Sequence, residues 1–240
     1  MSRMLNFHEA GWATARDHAV AGRRRDALAA LTPLLRGTDA PERLILSAHR
    51  LAARLHYGES RFRKARIHLR TAHRLDPKNA EIAFELGQAW ERDPLGNDRR
   101  ALRWYRLASR LNAGSPKYLA AYGRSLVRAD RVRLGCRKLR MAAAKPSSEG
   151  LVLQCLVDGF REAGRPREAY RTAAKARFLA PKCAETQAIW VDANLRNQAS
   201  APRLGAARLL PFTPPAGIGP RLLRHGPATA SRPRFLRLHG

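Results

Sequence analysis

Acidic residues, cysteines, aromatic residues and long apolar runs are all scarce in this chain of 240 residues. Only 19 Asp and Glu stand against 46 Lys and Arg, which gives a formal net charge of +27. With so few carboxylates, a catalytic carboxylate pair is not expected. No stretch approaches the roughly 20 uncharged residues that a membrane-spanning helix requires, so we expect no membrane span.

Neither the cysteines nor the first ten residues indicate a secreted protein. The three cysteines, Cys136, Cys155 and Cys183, have neither metal-like nor redox-like spacing. We therefore expect three free thiols that behave as small apolar side chains. The first ten residues lack the apolar segment and the small-residue cleavage site of a secretory signal. A cytoplasmic location is the expectation.

Motifs for catalysis and cofactor binding are missing as well. His49 with His56, and His68 with His73, lack a convincing metal-ligand spacing, so core or surface side chains are expected there. The Gly-x-Gly at 217–219 has no strand before it and no helix after it, which argues against a dinucleotide loop. The sequence thus predicts no metal, no cofactor and no enzymatic activity.

The residues that are abundant favour helices. Ala, Leu and Arg dominate, and these are strong helix formers because they lose little side-chain entropy in a helix. Aromatic residues make up only 7% of the chain and hydrophobic residues 45%. Apolar residues recur at spacings of three and four, as in the segments 82–92 and 98–111. The predicted fold class is therefore all-α.

Small residues recur with a period close to 34 residues. The spacings are 36, 34 and 34 in two parallel series seven residues apart. The two series are Ala65, Ala101, Gly135 and Ala169, and then Ala72, Ala108, Ala142 and Ala176. A period of this length is typical of solenoids, in which stacked helical units share one core. Small residues at fixed positions predict close helix contacts, and the seven alanines of the two series together with Gly87 are expected to be buried.

The clearest unit, residues 150–183, adds large apolar residues and a helix-ending proline to this pattern. It carries Leu153, Leu156, Phe160, Gly164, Ala169, Ala176 and Pro181. At these positions the sequence resembles the tetratricopeptide repeat family. The resemblance implies an α-solenoid of antiparallel helix-turn-helix repeats that stack as a right-handed superhelix. It also implies a role in binding other proteins.

One repeat domain over residues 1–199 and a basic, disordered tail over residues 200–240 are the predicted organisation. The repeats and a capping helix are predicted at 8–41, 46–79, 80–115, 116–149, 150–183 and 184–197. A two-residue insertion within 93–98 explains the single spacing of 36. Asp98 and Asp130 are expected to cap the helices that follow them. Turns are expected near 58–60, 93–97, 129–130 and 164–166.

The resemblance also indicates which residues would line a concave groove, because the first helices of successive tetratricopeptide repeats form one. Most of these residues are cationic. They are Arg16, Arg50, Arg54, Gln88, Arg92, Lys117, Arg124, Arg128 and Arg161, together with Asp158. Arginine pairs four residues apart share a helical face and suit carboxylates or phosphates. The predicted function is therefore a scaffold that binds an acidic peptide or protein.

Two alternatives remain open at this stage. Nonspecific binding of RNA or DNA by the basic repeats and the Arg-rich tail would also use the charge, and it would depend steeply on salt. Alternatively, codon bias in a GC-rich genome would raise Ala, Arg, Gly and Pro together without any function. The excess of arginine does not decide between these explanations.

The tail yields the first prediction. Its seven prolines and seven arginines, without one acidic residue, cannot recover an ordering entropy of about 1–2 kcal/mol per residue. Removing residues 200–240 should leave the helical circular dichroism signal and the thermal midpoint almost unchanged. Heparin binding at low salt should weaken, with a smaller salt slope. Loss of folded repeats on truncation, or unchanged heparin affinity, would contradict this interpretation.

Overall fold

A computed structural model describes residues 2–36, 40–145, 147, 149–181 and 183–200. Within these ranges all regular structure is helical, which confirms the all-α prediction. The helices are α1 (Ser2–Val20), α2 (Arg24–Arg36), α3 (Glu42–Gly58), α4 (Phe62–Leu75), α5 (Ala80–Glu91), α6 (Asp98–Leu111), α7 (Pro116–Arg128), α8 (Val132–Ala143), α9 (Gly150–Glu162), α10 (Pro166–Leu179) and α11 (Ala184–Ser200). In the described part of the chain, no helix is both long enough and apolar enough to cross a membrane. Of the predicted tail, only Ser200 is described, as the last residue of α11, and residues 201–240 lie outside the described residues.

The helices pack as five consecutive pairs followed by one further helix. Each odd-numbered helix from α1 to α9 packs against the even-numbered helix after it, and α11 packs against α10 and α9. We call the odd-numbered helices A helices and the even-numbered ones B helices. Each B helix also contacts the next A helix, so the pairs stack into a solenoid. Four clusters of buried residues fill the interfaces between successive helices of the stack.

Short turns separate the two helices of the last four pairs at the expected places, namely 59–61, 92–97, 129–131 and 163–165. Ser60, Asp130 and Gly164 occupy the same place in three of them, and all three have positive φ angles, between 58° and 67°. Glycine adopts this left-handed conformation without strain, whereas Ser and Asp adopt it at a small cost. The repeated conformation turns the chain sharply enough for the helices to run antiparallel.

Both predicted caps differ from the structure. Asp130 does not cap α8, because its left-handed conformation makes it the residue that closes α7, with its N–H donating to the Val127 carbonyl at 2.9 Å. Arg131 takes the position before α8 and makes no capping contact through its side chain. Asp98 is the first residue of α6, and the Asn97 side chain accepts the hydrogen bond from the Arg100 N–H. The inserted loop thus supplies the cap one residue earlier than expected.

All the small residues predicted to be buried are buried, which confirms the register of the repeat. Their role is clearest where A and B helices approach most closely. A methyl group on Gly87 of α5 would lie 2.6 Å from a ring carbon of Tyr105 in α6. A methyl group on Gly135 of α8 would lie 2.6 Å from Val127 in α7. These positions admit only a hydrogen atom, which allows α5 to approach α6 and α7 to approach α8 closely.

The second prediction uses this packing. Ala101 is 2% exposed and packs in a cluster with Phe84, Trp90 and Tyr105. Ala101→Leu should lower the free energy of unfolding by about 1–3 kcal/mol, because the added atoms overfill the contact between α5 and α6. Urea unfolding would measure the change. Ala29→Leu makes the same replacement at an exposed position in α2 and should change stability by less than about 0.5 kcal/mol. An unchanged midpoint for Ala101→Leu would refute the packing.

Candidate binding faces

Ion pairs connect successive A helices along the face that the sequence predicts for partner binding. Between α3 and α5, the Arg50 guanidinium donates to Glu85 at 3.0 Å, and Arg54 Nε donates to the same carboxylate at 3.3 Å. Burial of Arg50 disfavours its charged form, but the hydrogen bond and the charge of Glu85 outweigh this and raise the pKa of Arg50. Two cations therefore share one anion at this step.

Glu81 makes the corresponding connection from α5 to α7. Lys117 Nζ lies 2.8 Å and 2.9 Å from its two carboxylate oxygens, and the Tyr118 hydroxyl donates to it at 2.7 Å. Burial opposes the carboxylate charge, yet the hydrogen bonds from Lys117 and Tyr118 lower the pKa of Glu81 overall. Burial and the bond to Glu81 raise the pKa of Tyr118. The Glu81 carboxylate therefore has its hydrogen-bond partners within the chain.

A denser network joins α5, α7 and α9. Arg128 donates to Glu91 at 2.8 Å, and Arg124 donates to Glu162 at 3.0 Å. Arg124 also lies 3.6 Å from Glu91 and 3.8 Å from Asp158. Burial opposes the charge of Arg124, but the hydrogen bond and charge of Glu162 raise its pKa. Glu91 additionally accepts a hydrogen bond from the buried Tyr105 hydroxyl. Carboxylates therefore surround both arginines.

The outer A helices continue the pattern. Arg43 of α3 donates to Glu9 of α1 at 3.0 Å. Arg161 of α9 donates to Asp192 of α11 at 2.9 Å and lies 3.6 Å from Asp158. All six A helices are thus linked by ion pairs from one helix to the next. We refer to these cross-helix pairs as the carboxylate ladder.

The structure places most of the predicted groove residues in this ladder. Six of the nine predicted residues pair with carboxylates of neighbouring A helices: Arg50, Arg54, Lys117, Arg124, Arg128 and Arg161. Arg16 approaches its neighbour Asp17, at 3.8 Å. Gln88 is half-buried and Arg92 is exposed. Asp158, named with them, lies between Arg124 and Arg161.

The carboxylates of the ladder are the residues that the sequence reasoning missed. Glu81, Glu85, Glu91 and Glu162 each stand about one repeat from their cationic partner, with separations of 36, 35, 37 and 38 residues. An acidic residue about one repeat period away from a basic residue, with both on A helices, therefore indicates an ion pair between neighbouring repeats. It reveals that the predicted cations are largely neutralised within the chain.

Three histidines meet between α3 and α4. His49 Nδ1 and His68 Nδ1 are 3.0 Å apart, and the His56 and His68 rings stack with centroids 5.5 Å apart. Burial, together with the charges of His49 and His56, lowers the pKa of His68 to about 4. Burial also lowers the pKa values of His49 and His56. Among the described residues, no group of three or more His, Cys, Asp or Glu is placed to hold a metal ion.

Comparison with solved structures identifies the fold. The chain is similar to TTC0263, a thermophilic TPR protein of Thermus thermophilus, with 18% identity and a TM-score of 0.59 over 78% of this chain and 99% of that one. It is similar to a tetratricopeptide repeat protein from Parabacteroides merdae, with 14% identity and a TM-score of 0.62 over 81% and 77% of the two chains. No protein-family model matches the sequence. No curated protein matches it significantly.

A third similar structure is YrrB, a TPR protein with an unusual peptide-binding site, with 15% identity and a TM-score of 0.52. The aligned region covers 72% of this chain and 87% of YrrB. Together with the stacked A and B helices, these similarities show that the chain has the tetratricopeptide repeat fold. The fold expected from the resemblance of the sequence is thereby confirmed.

The third prediction concerns the histidine cluster. Because the folded protein resists protonation of His68 below the ordinary pKa of about 6.5, the unfolded chain binds more protons there. Stability present above pH 6.5 should therefore decline as the pH falls toward 4. At pH 5 we expect a loss of about 1–2 kcal/mol, after allowance for the partial exposure of the ring.

His68→Gln replaces the ring with a neutral polar group and should flatten this pH dependence in thermal melts between pH 7.5 and 4.5. His8→Gln is the matched control, because His8 lies in α1 away from the cluster. The interpretation fails if the two variants and the unmodified chain lose stability in parallel on acidification.

Proposed function

We propose that the chain is a non-enzymatic scaffold that binds an acidic segment of a protein partner on the α3 and α5 part of its A-helix face. The tetratricopeptide repeat fold supports a protein-binding role. YrrB, which has the same fold, is described as having a peptide-binding site. The distribution of charge along the carboxylate ladder supports the location.

One observation carries the location. Arg50 and Arg54 share the single carboxylate of Glu85, so this step of the ladder retains an excess positive charge. The Arg54 side chain is 65% exposed and uses only its Nε, which leaves its terminal nitrogens available. Arg92, also exposed, stands at the end of α5. Carboxylates of a partner would complete the hydrogen bonding of these groups.

The predicted groove residues of α7 and α9 contribute differently. Arg124 is surrounded by Glu91, Asp158 and Glu162, and Arg128 contacts the first and last of these. A partner carboxylate would have to displace intramolecular carboxylates that already satisfy these guanidinium groups. We therefore assign Arg124 and Arg128 to the connection between repeats and not to recognition.

Nonspecific binding of RNA or DNA by the basic surface is the second function that the sequence predicts. It differs from the first in its dependence on salt, because a polyanion releases counterions at every neutralised phosphate. Heparin and RNA would displace every ligand alike if this were the principal activity. A protein partner bound at α3 and α5 would be displaced weakly and with a shallow salt slope.

The fourth prediction tests the proposed face with matched charge reversals in the full chain. Arg54→Glu should weaken binding of an acidic partner segment at least tenfold, because a charge-assisted hydrogen bond contributes about 1.5–3 kcal/mol. Arg63→Glu makes the same change at an exposed position of α4 and should alter the affinity less than twofold. Partners captured by the unmodified chain would be mapped to a segment and titrated against each variant.

Circular dichroism would establish that both variants are folded. Equal affinity of the Arg54→Glu and Arg63→Glu variants would refute the assignment of the binding face. A partner segment without acidic residues would refute the proposed chemistry.

A further inference from the structure

A surface cavity of about 650 Å³ lies between the B helices α4 and α6, beside Trp90 of α5. Five arginines line it: Arg70, Arg100, Arg103, Arg106 and Arg110. Its volume is within the range of about 300–1,000 Å³ that is usual for ligand pockets. The cavity takes no part in the carboxylate ladder or in the proposed partner face.

These arginines differ from those of the A-helix face in lacking acidic partners. Within the described part of the chain, no carboxylate lies within ion-pair distance of any of the five. Aromatic contact positions two of them instead. The Arg100 and Arg70 guanidinium carbons lie 4.8 Å and 5.8 Å from the centroid of the Trp90 ring. Two like charges therefore converge on one indole without an anion between them.

A later pair of repeats has a carboxylate at the position where Arg70 and Arg100 have none. Further along the B helices, Arg140 of α8 forms two hydrogen bonds of 2.8 Å with Glu168 of α10. Counted back by two repeats, Arg140 corresponds to Arg70 in α4 and Glu168 corresponds to Arg100 in α6. The contact between α4 and α6 thus places Arg100 opposite Arg70, where the contact between α8 and α10 has a glutamate.

The carboxylate that the inserted loop brings near Trp90 is already engaged. Asp93, from the inserted loop, accepts a 2.6 Å hydrogen bond from Arg66, whose guanidinium carbon lies 4.0 Å from the Trp90 centroid. That hydrogen bond is the main reason for the lowered pKa of Asp93. The loop therefore neutralises Arg66 and leaves Arg70 and Arg100 without a counterion.

From this arrangement we propose that the cavity between α4 and α6 binds the phosphate groups of a nucleotide, either free or within a single strand of nucleic acid. Guanidinium groups bind phosphate oxygens through paired, charge-assisted hydrogen bonds. A phosphate between Arg70 and Arg100 takes the place that Glu168 fills beside Arg140. Arg103, Arg106 and Arg110 then supply charge for further phosphates.

The second feature that favours a nucleotide is aromatic. Trp104, which is only partly buried, lines the same cavity, with His73 in edge contact at a centroid distance of 5.1 Å. An indole beside several arginines suits a base attached to phosphate, because every base can stack on an aromatic side chain irrespective of its identity. A carboxylate-bearing peptide would use the arginines but would gain nothing specific from the indole.

The fifth prediction tests the cavity with the full chain and three probes: tripolyphosphate, ATP and a single-stranded octanucleotide, titrated calorimetrically at roughly physiological salt. Arg100→Glu should weaken all three at least tenfold. The same variant should raise the thermal midpoint, since it gives Arg70 the carboxylate that Arg140 has in Glu168. A loss of binding in a more stable protein cannot be attributed to unfolding.

Arg137→Glu is the matched control. Arg137 is exposed on α8, stands 34 residues after Arg103 at the same place in the repeat, and is outside the cavity. It should change each affinity less than threefold. Trp104→Ala should weaken the binding of ATP and the octanucleotide but not that of tripolyphosphate. If the octanucleotide binds much more tightly than ATP, the phosphate groups belong to a nucleic acid. The proposal is overturned if no probe binds, or if Arg100→Glu and Arg137→Glu weaken binding equally.

These outcomes are separate from those of the protein-partner test. Arg54 is on α3 and belongs to the A-helix face, so Arg54→Glu should leave the affinity for tripolyphosphate within threefold of the unmodified chain. Failure of either proposal therefore leaves the other standing.

Discussion

Pairing of a small number of carboxylates with a large excess of arginine is the constraint on which the surface of this protein depends. With 46 basic and 19 acidic residues, most cations cannot have an acidic partner. The positions of the carboxylates therefore determine which parts of the surface remain positive. Along the A-helix face they stand between helices, where Glu81, Glu91 and Glu162 each meet cations from a neighbouring repeat. Between the B helices α4 and α6, by contrast, no carboxylate stands at the position that Glu168 occupies between α8 and α10.

Charge pairing does not by itself hold the repeats together. An exposed ion pair contributes at most about 1 kcal/mol, whereas an overfilled or emptied helix contact costs about 1–5 kcal/mol. The close contacts at Gly87 and Gly135 set the distance between α5 and α6 and between α7 and α8. The ladder then links pairs whose separation the core has already fixed. Its half-buried members, such as Arg124, cannot lose a partner without leaving a charge in a partly dehydrated site.

The sequence alone predicts the fold well because its signal is periodic. The alanines of the two series recur at 34 and 36 residues, and every one is buried between helices. The turn residues share a position but not a residue type, since Ser60, Asp130 and Gly164 occupy the same place in their turns. Asp130 is a residue type that commonly caps the start of a helix, yet its backbone conformation makes it the residue that ends α7. Local side-chain chemistry predicted the wrong role because the turn geometry overrides it.

The binding faces are less predictable for a related reason. The resemblance identifies the cations on the A-helix face. Whether each cation is available to a ligand depends on which carboxylates of the same chain pair with it. Glu85 is shared by Arg50 and Arg54, and this sharing depends on the distance between α3 and α5. The contact of His49 with His68 likewise depends on the rotation of α4 against α3. Such information is three-dimensional, although separations close to one repeat period provide a partial guide.

The two-residue insertion lies beside the positively charged contact between α4 and α6. It adds a loop after α5 whose Asp93 binds Arg66 and whose Asn97 caps α6. Both side chains are engaged within or beside the loop, Asp93 with Arg66 and Asn97 with the Arg100 backbone N–H, and neither forms an ion pair with the Arg70 or Arg100 guanidinium group. The contact between α8 and α10, which has no such insertion, closes through Arg140 and Glu168. The contact between α4 and α6 thus remains open and positively charged beside Trp90, whereas a carboxylate closes the corresponding contact between α8 and α10.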